Sequence, residues 1–497
     1  MEEEMENFRQ HKVWTLEEPP KDVIPIQCKW VLTKKENASG EMTRYKARLV
    51  AKGFAQQKGI DYEDVYSPTS SFDTVRLLVA IGVQEKWILE QADVKCAYLH
   101  GKPEELIYMQ QPTGFVLPGT EHLCCKLTKS IYGLKQGGRC WNQHLDQCLE
   151  KSGFSRNAID PCVYELKLEE GRAIICVHVD DILVMSQNEE VKEKVKQLLN
   201  AHFECKFLGQ VSHLLGVKFS HSVNGSVTLS QEVYIERLLR RFRMEDATCV
   251  ATPMEVKANF QDDTTCEDFK NLPFRELIGG LLYLSQRTRP DIAFSVGKLS
   301  QHCANYTRKH WNGAKRILRY FKATKKAGIT YQRRIVPLTA FADADWASSN
   351  EDRKSVTGYV IFLCGAPIAW RSNKQTCIAL STMEAEYVAL CDCARQLTWI
   401  KEFIEQLGIR QVASMPIPIM CDSQAATAHA SNYVDRSRTK HNDIRYHFVR
   451  DKVTDGMIKL VYVPTNDNVA DIFTKPLNRR RHQAHAEQLI STDGVTV

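Results

Sequence analysis

Two adjacent aspartates, Asp180 and Asp181, stand at the tip of an apolar hairpin in the stretch AIICVHVDDILVM, Ala173 to Met185. Asp-Asp can be a turn, because aspartate tolerates tight-turn geometry and bonds its own backbone. It can also be a cation site, because neighbouring carboxylates repel unless one protonates or a metal neutralises both. A third acid, Asp93, ends the apolar run ILEQADV. Alone it reads as a cap or turn residue. Together the three carboxylates, on two β segments, are what a two-metal phosphoryl-transfer site needs: one ion activates an attacking hydroxyl and the other holds the leaving group. Hard oxygen ligands select Mg2+, two ions per site, with Mn2+ as a substitute.

A second carboxylate set lies far downstream: Asp343, Glu386, Asp422 and Asp471. Singly they read as a strand-end cap, a surface helix residue and two helix N-caps. Jointly, from four elements of one α/β pattern, they suit a second two-metal site that activates water against a phosphodiester. Asp345 shares a strand face with Asp343 by the period of two and ranks below it as a ligand.

The elements that must position these acids are legible as patterns. CKWVLTKK and TRYKARLVAKGF read as strands joined by a loop around Asn37–Gly40. TVRLLVAIGVQEKW has helical spacing, and ILEQADVKCAYL reads as a strand running into a short helix. Asn224-Gly225 between alternating segments marks a hairpin, and Ser230 reads as the cap of the helix that follows. From Val336 three strands precede a long helix opened by the Ser381-x-x-Glu384 capping box and stopped by Gly408. Two further strand–helix pairs complete a βββαβαβα order in which Asp471 opens the last helix. The fold class expected is therefore multidomain α/β and α+β.

Composition sets outer bounds. At 497 residues the chain is too long for one core. No 18-residue apolar span exists, so no membrane helix is expected. The acidic MEEEMENF start is not a secretory signal. The 17 cysteines, odd in number and without paired CxxC motifs, read as reduced thiols of an intracellular protein. From Arg287 to Arg334 there are 13 Lys/Arg and one acid. That block is either a solvated helical face or a polyanion path, and its interleaved aromatics (HWNGAKRILRYFKATKK) favour nucleic acid.

Eight motifs occur in order: DVKCAYLHG, SIYGLKQGGRCWN, HVDDILV, RTRPDIAF, HWNGAKRILRYFK, DADWA, STMEAEY and NVADIFTKPL. In content and spacing they resemble the Pol polyprotein of copia-type LTR retrotransposons, from about His11 to Leu477. The upstream capsid, protease and integrase parts of such polyproteins lie outside this sequence. The resemblance implies a right-hand reverse transcriptase followed by a ribonuclease H-like domain. Fingers, palm and the start of the thumb are expected over 1–250 and a basic thumb/connection segment over 251–334. The nuclease is expected over 335–478 and a tail over 479–497. Its implied partners are an RNA template, a DNA primer, an RNA–DNA hybrid and dNTPs, in cytoplasmic particles or the nucleus. No oligomeric state is read from it.

By the same resemblance Asp93, Asp180 and Asp181 match the polymerase metal ligands, assisted by the Val94 carbonyl. Tyr98 matches the aromatic under the incoming sugar, although by composition it reads equally as a core tyrosine. Gln136 matches a nucleotide and template contact. Lys46 and Arg48 match cations that grip the triphosphate, or line a solvated strand face. Arg316, Arg319 and Lys322 are the expected nucleic-acid contacts of the basic block. Asp343, Glu386, Asp422 and Asp471 match the nuclease ligands. The nuclease histidine expected before the last acid is missing from PTNDNVAD, and His441 lies too far upstream for that role. Two positions depart from the family: His178 where tyrosine is usual, and Gly137-Gly138 where Ala-Pro is usual. Both also suit a rival reading, a catalytically impaired transposon-derived nucleic-acid-binding remnant. The presence of all seven candidate ligands argues against it.

Overall fold

In a computed structural model of the chain, residues 1–36, 42–258, 260, 272–348, 352–409, 415–431 and 443–491 are described. They form two compact units: Met1–Ser70 with Ile88–Val211, and Ser71–Trp87 with Ser212–Val497.

The first unit is built on a six-stranded antiparallel sheet. Its order is Cys205–Gln210, Ile88–Val94, Asp181–Ser186, Gly171–His178, Val163–Leu168, Ser155–Arg156. Two amphipathic helices, Gly137–Lys151 and Glu189–Asn200, cover one face. Trp141, Leu145, Leu149, Val191, Val195 and Leu199 pack there against Ala92, Ile175, Val177, Ile182 and Val184. Asn188 starts the second helix by accepting from the Val191 N–H. The expected pair of early strands is a ribbon of Cys28–Glu36 against Met42–Ala51. The helix Glu2–Gln10 buries Met5 and Phe8 in the cluster that also holds Leu49 and Leu127.

The second unit carries a five-stranded mixed sheet of order Ala366–Lys374, Val356–Leu363, Thr339–Asp345, Ile417–Cys421, Ile458–Tyr462. The first three strands are antiparallel and the last two join in parallel. The helix Thr382–Gln406 lies on this sheet. The Ser381 hydroxyl accepts from the Glu384 N–H at its start, and Gly408 takes a φ of 65° just past its end. A second cluster joins the helices Glu232–Arg241, Phe274–Arg287, Ala293–Ser300 and Arg308–Thr324. The Asn224-Gly225 hairpin forms between Val217–His221 and Val227–Ser230, with Gly225 at φ 80°.

The architecture is the mixed multidomain class that the patterns indicate, with four local differences. The helix after the hairpin is capped at Gln231, one residue beyond Ser230, which is taken up as the end of a strand. Two helices, Gln424–Ser431 and Asp443–Thr454, stand between the last two strands instead of one. Asp471 lies within a 3-10 helix, Val469–Phe473, set by Asn468, whose side chain accepts from the Ala470 N–H. Residues 479–489, read as tail, form a helix capped by the Asn478 side chain. His441 and the Asn37–Gly40 loop lie outside the described residues.

The helix Phe72–Gln84 precedes the Asp93 strand in sequence yet packs in the second unit. Arg76, 1% exposed, fixes it there. Its guanidinium donates to the carbonyls of Ile368, Gln286 and Arg287 at 2.8–2.9 Å and lies 3.9 Å from the Trp370 ring centroid. Asp73 completes the shell as its ion-pair partner.

Candidate active sites

The first site lies where the Asp181–Ser186 strand runs beside Ile88–Val94. The ladder pairs Asp181 directly with Asp93 on one side and with His178 on the other. Directly paired residues present their side chains on one sheet face. The turn before Asp181 is held in a costly conformation: Val179, β-branched, takes a φ of 60°. Two bonds secure it. The Trp141 indole donates to the Val179 carbonyl at 2.8 Å, and the Val94 N–H donates to the Asp180 carbonyl at 2.9 Å. The tryptophan in CWN therefore supports the DD tip, a role its motif did not suggest.

Burial, then the Asp180 and Asp93 carboxylates, push Asp181 above the ordinary carboxylate range, against a 3.1 Å hydrogen bond from Gln91. Lys206, the ladder partner of Asp93 on the neighbouring strand, adds positive charge at this edge. Tyr98 follows Asp93 on the short 3-10 turn Ala97–His100 and is raised by burial and by the Asp180 charge. Its ring meets Tyr132 edge-on at 5.2 Å, and the Arg48 guanidinium stacks on Tyr132 at 4.9 Å. Arg48, Tyr98 and Asp180 thus share one neighbourhood, with Tyr132 as the unforeseen middle member. Lys46 lies two residues before Arg48 on the same strand face, and both act on the half-buried Glu4 carboxyl.

Gln136 is 1% exposed. Its amide donates to the Asp61 carbonyl at 2.7 Å and to Glu105 at 3.1 Å, and it accepts from Gln56 at 3.0 Å. The side chain is a buried bracket in this structure. Gly137 follows it at a close approach: a Cβ there would meet Ser130 Oγ at 3.0 Å and the Tyr98 ring at 3.5 Å. His178 lies 3.4 Å from Ser70 Oγ through Nδ1.

The second site gathers all four downstream acids. Ligand atoms of Asp343, Asp422 and Asp471 lie within 4.8 Å of one another, and so do those of Glu386, Cys421 and Asp422. Among the described residues, these are the groups of three that close so tightly. Asp93, Asp180 and Asp181 are not among them. Asp343 is 1% exposed and Asp471 is fully buried. Burial and the neighbouring carboxylates push Asp343 up to about 7, against Lys475, and push Glu386 well above its ordinary value. Glu386 Oε2 has no hydrogen-bond partner. Buried, mutually repelling carboxylates with an orphaned oxygen are the expected state of a cation site.

Sequence reading missed the local counter-charges. Lys475 Nζ lies 2.7 Å from Asp471 and 3.7 Å from Asp343. Burial opposes its charge, but the two aspartates raise it above the ordinary lysine value. Arg481 pairs with Asp471, and the Thr474 hydroxyl donates to Asp343. Lys475 and Thr474 stand in the NVADIFTKPL motif, so their signal was proximity to Asp471. Arg481 comes from a segment read as tail. So does His485, 2% exposed with neither ring nitrogen bonded, which lies in the electrostatic neighbourhood of Asp471.

In the basic block, Arg289 is fully buried against Asp291. Arg316 pairs with Glu255 at 2.8 Å, and Arg319 donates to the Thr248 carbonyl at 2.7 Å. Lys322 is half-buried on the same helix. Arg316 and Arg319 tie the helix to the 248–255 segment, so they do not stand as free cations.

Residues 11–256 match the family model described as reverse transcriptase (RNA-dependent DNA polymerase). The chain belongs to this family. It is 38% identical to the retrovirus-related Pol polyprotein from transposon TNT 1-94 of Nicotiana tabacum over 491 residues, covering 97% of this chain and 37% of that one. A putative transposon Ty5-1 protein of Saccharomyces cerevisiae is 32% identical over 309 residues, 61% of this chain and 100% of that protein. A foamy viral protease-reverse transcriptase solved in complex with RNA/DNA hybrid aligns with a TM-score of 0.48 and 14% identity, covering 93% of this chain and 52% of that one. The chain spans little more than a third of the plant polyprotein's length, and the retrotransposon Pol resemblance of the eight motifs is borne out. No helix among the described residues is long and apolar enough to cross a membrane.

Proposed function

We propose that the chain is an RNA-directed and DNA-directed DNA polymerase that also hydrolyses RNA in RNA–DNA hybrids, each reaction run at its own acid cluster. The observation that carries the reading is the gathering of sequence-distant acids into two places: Asp93 in register with Asp181, and Asp343, Glu386, Asp422 and Asp471 in two overlapping groups that share Asp422. Roles divide along the chain: residues 1–250 hold template, primer and dNTP, 251–334 grip the hybrid, and 335–478 cut it.

Asp93, Asp180 and Asp181, with the Val94 carbonyl, would hold one magnesium pair, and Asp343, Glu386, Asp422 and Asp471 the other. When bound, such ions lower the pKa of the attacking hydroxyl or water and neutralise charge on the leaving oxygen. The chain's own groups do the positioning. Lys46 and Arg48 take the triphosphate, and Tyr98 supports the sugar from the Tyr132–Arg48 stack. Gln136 acts from behind, bracketing the turn that seats Gly137 against Tyr98. The backbone of the Val179 turn fixes where Asp180 and Asp181 point. At the nuclease site Lys475 and Arg481 hold Asp471 oriented. Arg316, Arg319 and Lys322 lie along one helix that would follow a hybrid backbone by charge and shape. A guanidinium has five donors, so a phosphate can share one already bonded.

The test is primer extension on a homopolymer template, and hybrid cleavage, both in Mg2+. Asp181→Asn should lower extension at least about 100-fold and spare cleavage, and Glu386→Gln should do the reverse. Absence of both activities in the wild-type chain with Mg2+ present, with hybrid binding retained, would establish the non-catalytic remnant instead.

A further inference from the structure

The nuclease pocket contains two overlapping ligand sets of different chemical character. Asp343, Asp422 and Asp471 offer oxygen alone, whereas Glu386, Cys421 and Asp422 offer two carboxylates and a sulfur, all ligand atoms within 4.8 Å. Asp422 belongs to both. Cys421 arises from strand alternation: Ile417, Ile419 and Cys421 are the buried positions of Ile417–Cys421. Its thiol is 0% exposed, and its sulfur accepts from the Ser423 N–H at 3.4 Å. An independent observation marks this corner as a place for a ligand. Glu386 is 9% exposed, and its Oε2 makes no hydrogen bond. An unpaired carboxylate oxygen at that depth is costly unless a cation or donor reaches it.

We propose that Glu386, Cys421 and Asp422 form a site for a thiophilic divalent cation, such as Zn2+ or Cd2+, which competes with magnesium for the nuclease pocket. This rests on the nuclease reading only in naming what is blocked; the binding itself does not require catalysis. The selectivity is one of softness. Magnesium seeks oxygen and leaves a neutral thiol protonated. A zinc-like ion forms a metal–sulfur bond, and the thiol proton leaves to water as the thiolate is captured. A soft ion seated there claims Asp422 and Glu386, and the oxygen set loses the ligands it needs.

The experiment uses the full chain with Cd2+ as the probe. Titration without magnesium follows the ultraviolet sulfur-to-cadmium charge-transfer band, in the wild type and in Cys421→Ser. The expected result is one saturable cadmium–thiolate equivalent present in the wild type and missing from the variant. Glu386→Gln should weaken that equivalent at least about ten-fold. Cadmium-113 magnetic resonance of the wild type reads the same site without any substitution, as a mixed sulfur–oxygen environment displaced by excess Mg2+. Where hybrid cleavage is measurable, half-inhibition by Cd2+ should move to at least about ten-fold higher concentration in Cys421→Ser. Equal cadmium–thiolate stoichiometry in both proteins, or an oxygen-only cadmium signal, overturns the proposal. Binding without any cleavage leaves the cation site standing and sinks only the catalytic reading.

Discussion

At the scale of single residues, the two acid clusters store electrostatic cost in different forms. Asp343 is the sharper case. Its carboxyl is raised from the ordinary 3.8 to about 7, so the folded, metal-free protein binds a proton there that the unfolded chain has lost. Stability with chelator present should therefore fall as pH rises from about 3.8 to about 7, and level off above it. Asp343→Asn should flatten that dependence and raise the melting temperature near neutral pH, and thermal unfolding across pH in a chelating buffer measures both. The Asp180–Asp181 tip carries backbone cost at Val179. Trp141→Phe keeps the ring packing and removes the bond to the Val179 carbonyl. The expected loss is about 1 kcal/mol in denaturant unfolding, with a fall in kcat for primer extension and little change in dNTP KM. The acids themselves were legible in sequence, because each ends a hydrophobic run or opens a capped element. Their counter-charges Lys475 and Arg481 and the support from Trp141 were not, because no periodicity marks a residue whose partner lies in another element.

Elements formed where local rules were strong. The Asn224-Gly225 hairpin and the Ser381 capping box follow from turn and cap chemistry a few residues long. Where local rules were weak the elements differ: Asp471 rides a 3-10 turn fixed by Asn468, and residues 479–489 form a helix that a mean-polar sequence disguised. The least legible feature was the placement of Phe72–Gln84. Its spacing announced a helix, but the partner of Arg76 at Ile368 lies 292 positions away. Burying a guanidinium is tolerable only with full bonding and an aromatic face. Arg76→Ala should therefore destabilise the second unit by about 3–5 kcal/mol, and Arg76→Lys should recover little, because an ammonium cannot reproduce the fork. Denaturant melts read from Trp370 fluorescence measure this.

Across the whole molecule, charge and connectivity make separate predictions. Hybrid affinity should drop at least about ten-fold between about 50 and 200 mM salt, since phosphate contact releases counterions. Lys322→Glu should weaken binding at unchanged stability. Arg319→Ala should lower both, because its guanidinium also bonds the Thr248 carbonyl. Filter binding beside thermal melts separates the two. Connectivity concerns 71–87. A fragment of 212–497 lacks the helix that Arg76 anchors, so it should be poorly soluble alone and recover on co-expression with a peptide of 71–87.

That borrowed helix also constrains inheritance. Recombination between two relatives can join the front of one chain to the back of another at a single breakpoint. A junction anywhere between 88 and 334 would unite a foreign Arg76 with an unfamiliar Trp370 and Ile368. Functional chimaeras should therefore cluster among parents whose residues 71–87 already suit the new partner, making one short segment a gatekeeper of exchange between lineages.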